Sequence, residues 1–246
     1  MEAVNRFFKL DKTTYEWQEL PSMGQARCLF TLAHFDGHIY AIGGKNQDEY
    51  LDSAERFNLS TQRWDRAYEL PEPMVDTRAA VVDDHLLIYG LSAYDIGQKA
   101  TYAYAMVVFD RFTQEWTKIL EEERDEVEDM MRIGSTGVFV RDGKCYRVYN
   151  PDSSACAHIN EVAVTRQGNG TVTAAIGNSI SNDVVKNSVN AFTMDGSLYI
   201  NLGGTVHEYP QHRVCGDALI KHLNSLEPIF APEISMVSFT MDLSKI

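Results

Sequence analysis

Short apolar runs broken by polar turns, not long amphipathic stretches, set the pattern of this chain. CLFTLAHF (28–35) runs into a D-G turn, and HIYAI (38–42) follows and ends in two glycines. AERFNL (54–59) and QRWDRA (62–67) then flank a tight polar turn. Short apolar runs bounded by turn residues predict strands, and D-G between two such runs predicts a hairpin. The group reads as a four-stranded antiparallel meander.

The group recurs. DGHIYAIGG, DDHLLIYGL, DGKCYRVYN and DGSLYINLGG start at residues 36, 83, 142 and 195, so successive units lie 47, 59 and 53 residues apart. An apolar residue also precedes tryptophan by seven places three times: Leu10 and Trp17, Phe57 and Trp64, Phe109 and Trp116. A period near fifty with several short strands per unit predicts a β-propeller of four-stranded blades. Gly43, Gly44, Gly90, Gly203 and Gly204 end second strands, where a Cβ would obstruct a neighbouring backbone. Trp17, Trp64 and Trp116 offer flat apolar surface to bury between adjacent blades.

The expected organisation is a single all-β domain over residues 1–246. A partial first blade spans 4–20, and fuller units begin near 27, 78, 135 and 188. The pattern then weakens: Leu91 replaces one motif glycine, and Tyr149 and Asn150 replace two more. HINEVAVTRQGNGTVTAAI still reads as two strands about a Gly-Asn-Gly turn. Residues 205–232 read as irregular or partly helical, and 234–243 as a closing strand. About five blades are represented, in a ring that is incomplete or closes irregularly. An open ring leaves an unpaired strand edge, an aggregation hazard.

The glycine doublet Gly43–Gly44 with Phe57 and Trp64 resembles the kelch repeat, and Arg27 and Arg78 resemble the arginine that precedes its first strand. RFFKLDKTTYEWQELPSMGQARCLF and the ending FTMDLSKI are similar to the kelch half of BTB-kelch proteins. That resemblance implies a substrate-recognition propeller for a Cullin-3 ubiquitin ligase, with Cullin-3 held by BTB and BACK segments that residues 1–246 do not resemble. On this reading the chain is a fragment or short form of a longer protein.

Charge narrows the partners. Against 22 basic residues stand 35 acidic ones, a net charge of −13, which disfavours a phosphate-tracking surface and so nucleic acid. No run of about 18 apolar residues suggests a membrane span, and the first residues carry no apolar signal core. Cys28, Cys145, Cys156 and Cys215 are scattered, as expected of free thiols in a reducing, cytoplasmic setting. The seven histidines form no metal-ligand spacing, so neither a metal nor another cofactor is expected. The acidic run EEERDEVED (121–129) reads as a solvated loop.

In a propeller of this strand order, second-to-third strand loops and blade connections emerge on one side. Loops 45–53, 91–103 and 150–157 would join connections 22–27 and 72–78 there. Tyr50, Tyr94, Arg27, Arg78 and Arg132 would ring a concave protein-binding surface, tyrosine and arginine being frequent interface anchors. For Arg27 and Arg78, bracing of neighbouring loops is an equal alternative. The expected function is protein binding without catalysis. A kelch scaffold on actin filaments and a propeller oxidase are the alternatives from other classes.

Overall fold

The computed structural model describes residues 2–11, 13–96, 99–122, 137–141, 143–149, 157–168, 172–177, 180–182, 189–194, 197–202, 205–209 and 239–240. Among them every regular element is a strand. β1 (Phe7–Leu10) and β2 (Trp17–Leu20) form a two-stranded sheet. β3 (Thr31–Phe35), β4 (His38–Ile42), β5 (Ala54–Asn58) and β6 (Arg63–Arg66) form the first full meander. β7 (Met74–Val82), β8 (His85–Ile96), β9 (Lys99–Asp110) and β10 (Glu115–Glu122) form the second.

A third meander contains β11 (Gly137–Arg141), β12 (Lys144–Tyr149), β13 (Ala157–Arg166) and β14 (Val172–Ile176), with β15 (Ile180–Asn182) also paired to β13. β16 (Val189–Met194), β17 (Ser197–Leu202) and β18 (Thr205–Tyr209) complete a three-stranded sheet, and β19 (Phe239–Thr240) pairs in parallel with β3. The fold is the expected all-β propeller in an irregular, incomplete form.

Packing follows from alternation. Leu86 and Ile88 of β8 face one apolar layer with Phe35, Tyr40 and Ile42, while Leu87 and Tyr89 face another with Val138 and Val162. The run LLIY is apolar throughout because both faces of its sheet are covered. A third layer joins Phe7 and Leu20 to Ile39, Phe57 and Trp64. Sheets therefore stack face to face, each burying the side its neighbour presents.

The tryptophans occupy matched registers. Trp17 lies opposite Leu10, Trp64 opposite Phe57 and Trp116 opposite Phe109. Trp64 donates its indole N–H to the Pro21 carbonyl at 2.7 Å, and Trp116 donates to the Tyr68 carbonyl at 3.1 Å. Pro21 and Tyr68 hold equivalent places, four residues after Trp17 and Trp64. Two of the three, Trp64 and Trp116, are half-buried against an apolar layer. Trp17 is 66% exposed, beside exposed Phe8 and Leu10, because among the described residues no sheet layer covers that face.

The turns repeat as well. Asp11, Asn58 and Asp110 each accept backbone N–H donors two and three residues ahead, and Tyr15, Gln62 and Gln114 then take positive φ. Asp36 and Gly37 both have positive φ, the two-residue hairpin that D-G favours.

Two expectations need correction. Residues 91–103 do not form a loop: β8 and β9 continue pairing as far as Ile96 and Lys99. Leu91, Ala93, Tyr102 and Tyr104 are buried, so the alternation carries the hairpin on past the motif glycine. Thr205–Tyr209, read as irregular, pairs with β17 because TVHEY supplies its own alternating β-formers. The rest of 210–232 lies outside the described residues, as do Gly203, Gly204, Cys156, Cys215 and Arg132. Cys28 and Cys145 are buried free thiols.

Gly43 and Gly44 have φ of 65° and 90°, and an added Cβ would lie 2.5 Å from the Met74 carbonyl oxygen or 2.6 Å from that of Cys28. Replacing either with alanine is expected to destabilise the fold by about 3 kcal/mol, read from urea unfolding. A second expectation concerns His85, whose buried ring is held below its ordinary pKa by burial and then by the charge of Arg166. Its contribution to stability is present above the unfolded value and lost as pH falls through the lowered folded value. The loss of Tm between about pH 7 and 5 should therefore be smaller in His85→Gln than in the parent chain.

Candidate functional site

The loop after β4 folds back as a small hairpin. Asn46 accepts the backbone N–H groups of Asp48 and Glu49, each at 2.8 Å, and Lys45 bridges to Tyr50. This leaves Gln47, Asp48 and Glu49 exposed at the tip. Leu51 is buried beneath and donates its N–H to the Gly44 carbonyl. The loop is tied to both flanking connections: Lys45 exchanges backbone hydrogen bonds with Cys28, and Met74 donates to the Leu51 carbonyl at 3.2 Å. Loops and connections thus gather on one side of the blade stack.

Tyr50 is half-buried, not free on the rim. Its hydroxyl lies 2.6 Å from that of Tyr102, and the rings meet edge to face at 6.0 Å. This pair locks the loop of one blade to the long β8–β9 hairpin of the next. Tyr102 was invisible to motif spacing, although ATYAYA alternates in a way that could have revealed the strand. Beside the pair, residues 45–50 with Pro73 and Ala93 line a polar cavity of about 460 Å³. Tyr94 lies on β8 opposite Thr101, in the hairpin extension.

Arg27 is inside the blade. It donates to the carbonyls of Gly43 and Ser53 at 3.0 and 2.8 Å, to Ser53 Oγ at 3.1 Å and to Glu55 Oε1 at 3.1 Å. Burial pulls its pKa down, and the Glu55 carboxylate opposes that shift. A guanidinium suits this place because its planar fork satisfies several fixed acceptors at once. Of the two roles open to it, rim contact and brace, Arg27 has the geometry of a brace, clasping the end of β4 to the start of β5. Arg78 is partly exposed, 3.0 Å from Asp76 across a bulge in β7, and donates to the Thr77 carbonyl at 2.9 Å.

Electrostatically, the loop tip is acidic: Asp48, Glu49 and Asp52 are exposed. Among the described residues, no group of three or more His, Cys, Asp or Glu side chains is arranged to hold a metal ion. The arrangement offers shape, hydrogen-bonding groups and negative charge to a ligand.

Arg27→Met is expected to cost about 3 kcal/mol in urea unfolding, since it removes the cation that balances the Glu55 carboxylate and the guanidinium donors to the Gly43 and Ser53 carbonyls. Glu55 keeps its Gly24 and Gln25 N–H donors, and Ser53 keeps that of Gly43. Arg27→Lys should recover only part of that, because an ammonium cannot reach all four acceptors.

Comparison with known proteins agrees with this geometry. The Kelch motif family matches residues 26–69, the first full meander with its leading connection. Human Kelch-like protein 33 is 39% identical over 75 residues, covering 30% of this chain and 14% of that protein. A putative F-box/kelch-repeat protein of Arabidopsis thaliana is 36% identical over 100 residues, covering 39% of this chain and 24% of the relative. The matched stretches thus span less than a quarter of these relatives. The solved structure of YjhT superposes with a TM-score of 0.56 at 17% identity, covering 80% of this chain and 65% of that one, a likeness of fold. With its glycine doublet, paired aromatics and stacked meanders, the chain carries a Kelch motif over residues 26–69 and is similar to kelch-repeat proteins.

Proposed function

We propose that the chain is a non-catalytic protein-binding module, and that within a longer polypeptide it recognises substrates for a Cullin-3 ubiquitin ligase. One observation carries the binding role. The 45–53 loop is fixed by Asn46 and by the Tyr50–Tyr102 pair, and so presents a preformed acidic tip beside a polar cavity. A preformed surface loses little entropy when it binds. The finer reading, cullin adaptor, is supported by the likeness of residues 6–30 and of the ending FTMDLSKI to BTB-kelch proteins. In such proteins the cullin contact belongs to other segments, so the loop face is reserved for the client. The acidic tip favours a neutral or basic client segment, in a cytoplasmic setting.

The test is affinity capture from cell extract with the parent chain and with Asp48→Lys/Glu49→Lys as baits. Clients of the loop face should fall about tenfold in recovery with the reversed charges while the fold, followed by Tm, is unchanged. Equal recovery by both baits would remove this face from the proposal.

A further inference from the structure

The two best-defined connections between blades can be compared place by place, because each starts four residues after a tryptophan. In the later one, Tyr68 stacks on Phe109 at 5.5 Å and its hydroxyl bonds Gln114, two residues before Trp116. Glu72, four places after Tyr68, accepts from Lys118 Nζ at 2.7 Å, two residues after Trp116. An aromatic hydroxyl and a carboxylate thus seal the connection against the edge strand β10, on either side of the indole.

The earlier connection keeps the receiving half but makes neither of these contacts to its edge strand, its Gly24 and Gln25 N–H groups donating instead to the Glu55 carboxylate of β5. Gln62 and Arg66 flank Trp64 as Gln114 and Lys118 flank Trp116. Opposite them stand Pro21 and Gln25 where the later connection has Tyr68 and Glu72. Pro21 still accepts the indole N–H, so the frame is the same. The result is an open groove of about 800 Å³ between residues 21–25 and the edge strand β6, with Trp64 in its wall. Arg63 and Arg66 are exposed on that wall, on either side of Trp64 and Asp65. The Glu55 carboxylate that also lines the groove is already held by Arg27 and by the Gly24 and Gln25 N–H groups. Among the described residues Arg66 pairs with exposed Glu69 on its own surface, an interaction that a better-placed carboxylate can displace. Phe7 packs edge-on against both Phe57 and Trp64 here, so an incoming ring would meet only the part of Trp64 that lines the groove.

We propose that this groove is a docking site for an extended peptide segment of a partner protein, one carrying a tyrosine and, four residues later, a glutamate. The tyrosine hydroxyl would reach Gln62 and the carboxylate would reach Arg66, reproducing in trans the contacts made in cis by Tyr68 and Glu72. The proposal is independent of the loop face, which uses other residues.

The probe is the synthetic peptide AYELPEP, the sequence of residues 67–73, titrated into the full chain while tryptophan fluorescence and the indole N–H signals are followed. Saturable perturbation of the Trp64 signal at peptide concentrations below about 1 mM is expected. Binding should weaken about tenfold with Arg66→Glu or with the control peptide AYQLPQP. Pro21→Tyr/Gln25→Glu, which restores the seal in cis, should block the peptide and raise Tm. No saturable change, or equal binding by the parent chain and Arg66→Glu, would overturn the proposal, whatever the loop-face variants do.

Discussion

The constraint on which this molecule depends is that no single four-stranded sheet of this size can cover its own two faces. Each must be pressed between neighbours, and the chain meets that need with one repeated joint. A cross-strand aromatic pair fills the layer between sheets, while the indole N–H takes a carbonyl from the connection leading into the blade. Aromatic pairs of this kind contribute about 1 kcal/mol beyond the area they bury. The glycine doublet then lets the carbonyls of Met74 and Cys28 approach where a side chain would forbid it. Joint and doublet together set how the blades are spaced.

Function is built from departures from that repeat. Where the second glycine is replaced by Leu91, the strand does not stop, and the β8–β9 hairpin rises to meet Tyr50 from the neighbouring loop. Where Pro21 and Gln25 stand in place of Tyr68 and Glu72, an edge that is sealed elsewhere stays open. Each departure leaves the backbone joint intact while changing what the surface presents. A repeat fold tolerates such changes because each blade mainly answers to its neighbours.

Of the proposed site, little could be read residue by residue. Arginine in front of a first strand looks the same whether it reaches outward or inward. Only the four acceptors converging on Arg27 place it inside. Tyr50 was identifiable as a loop aromatic, but its partner Tyr102 lies 52 residues away in a stretch that glycine and aspartate made resemble a turn. Trp17 shares its register with the other two indoles, yet burial depends on what lies across the face and not on register.

Sequence alone determined the repeat, the strand order within a blade, the turn chemistry and the pairing of each tryptophan with the apolar residue seven places before it. These follow from local propensity and from periodicity, which act over a few neighbouring residues. Tertiary structure alone decided which faces are covered, which arginine is buried, how far a hairpin extends and where a groove stays open. Those outcomes depend on contacts between residues far apart in the chain, and such contacts leave no local pattern to read.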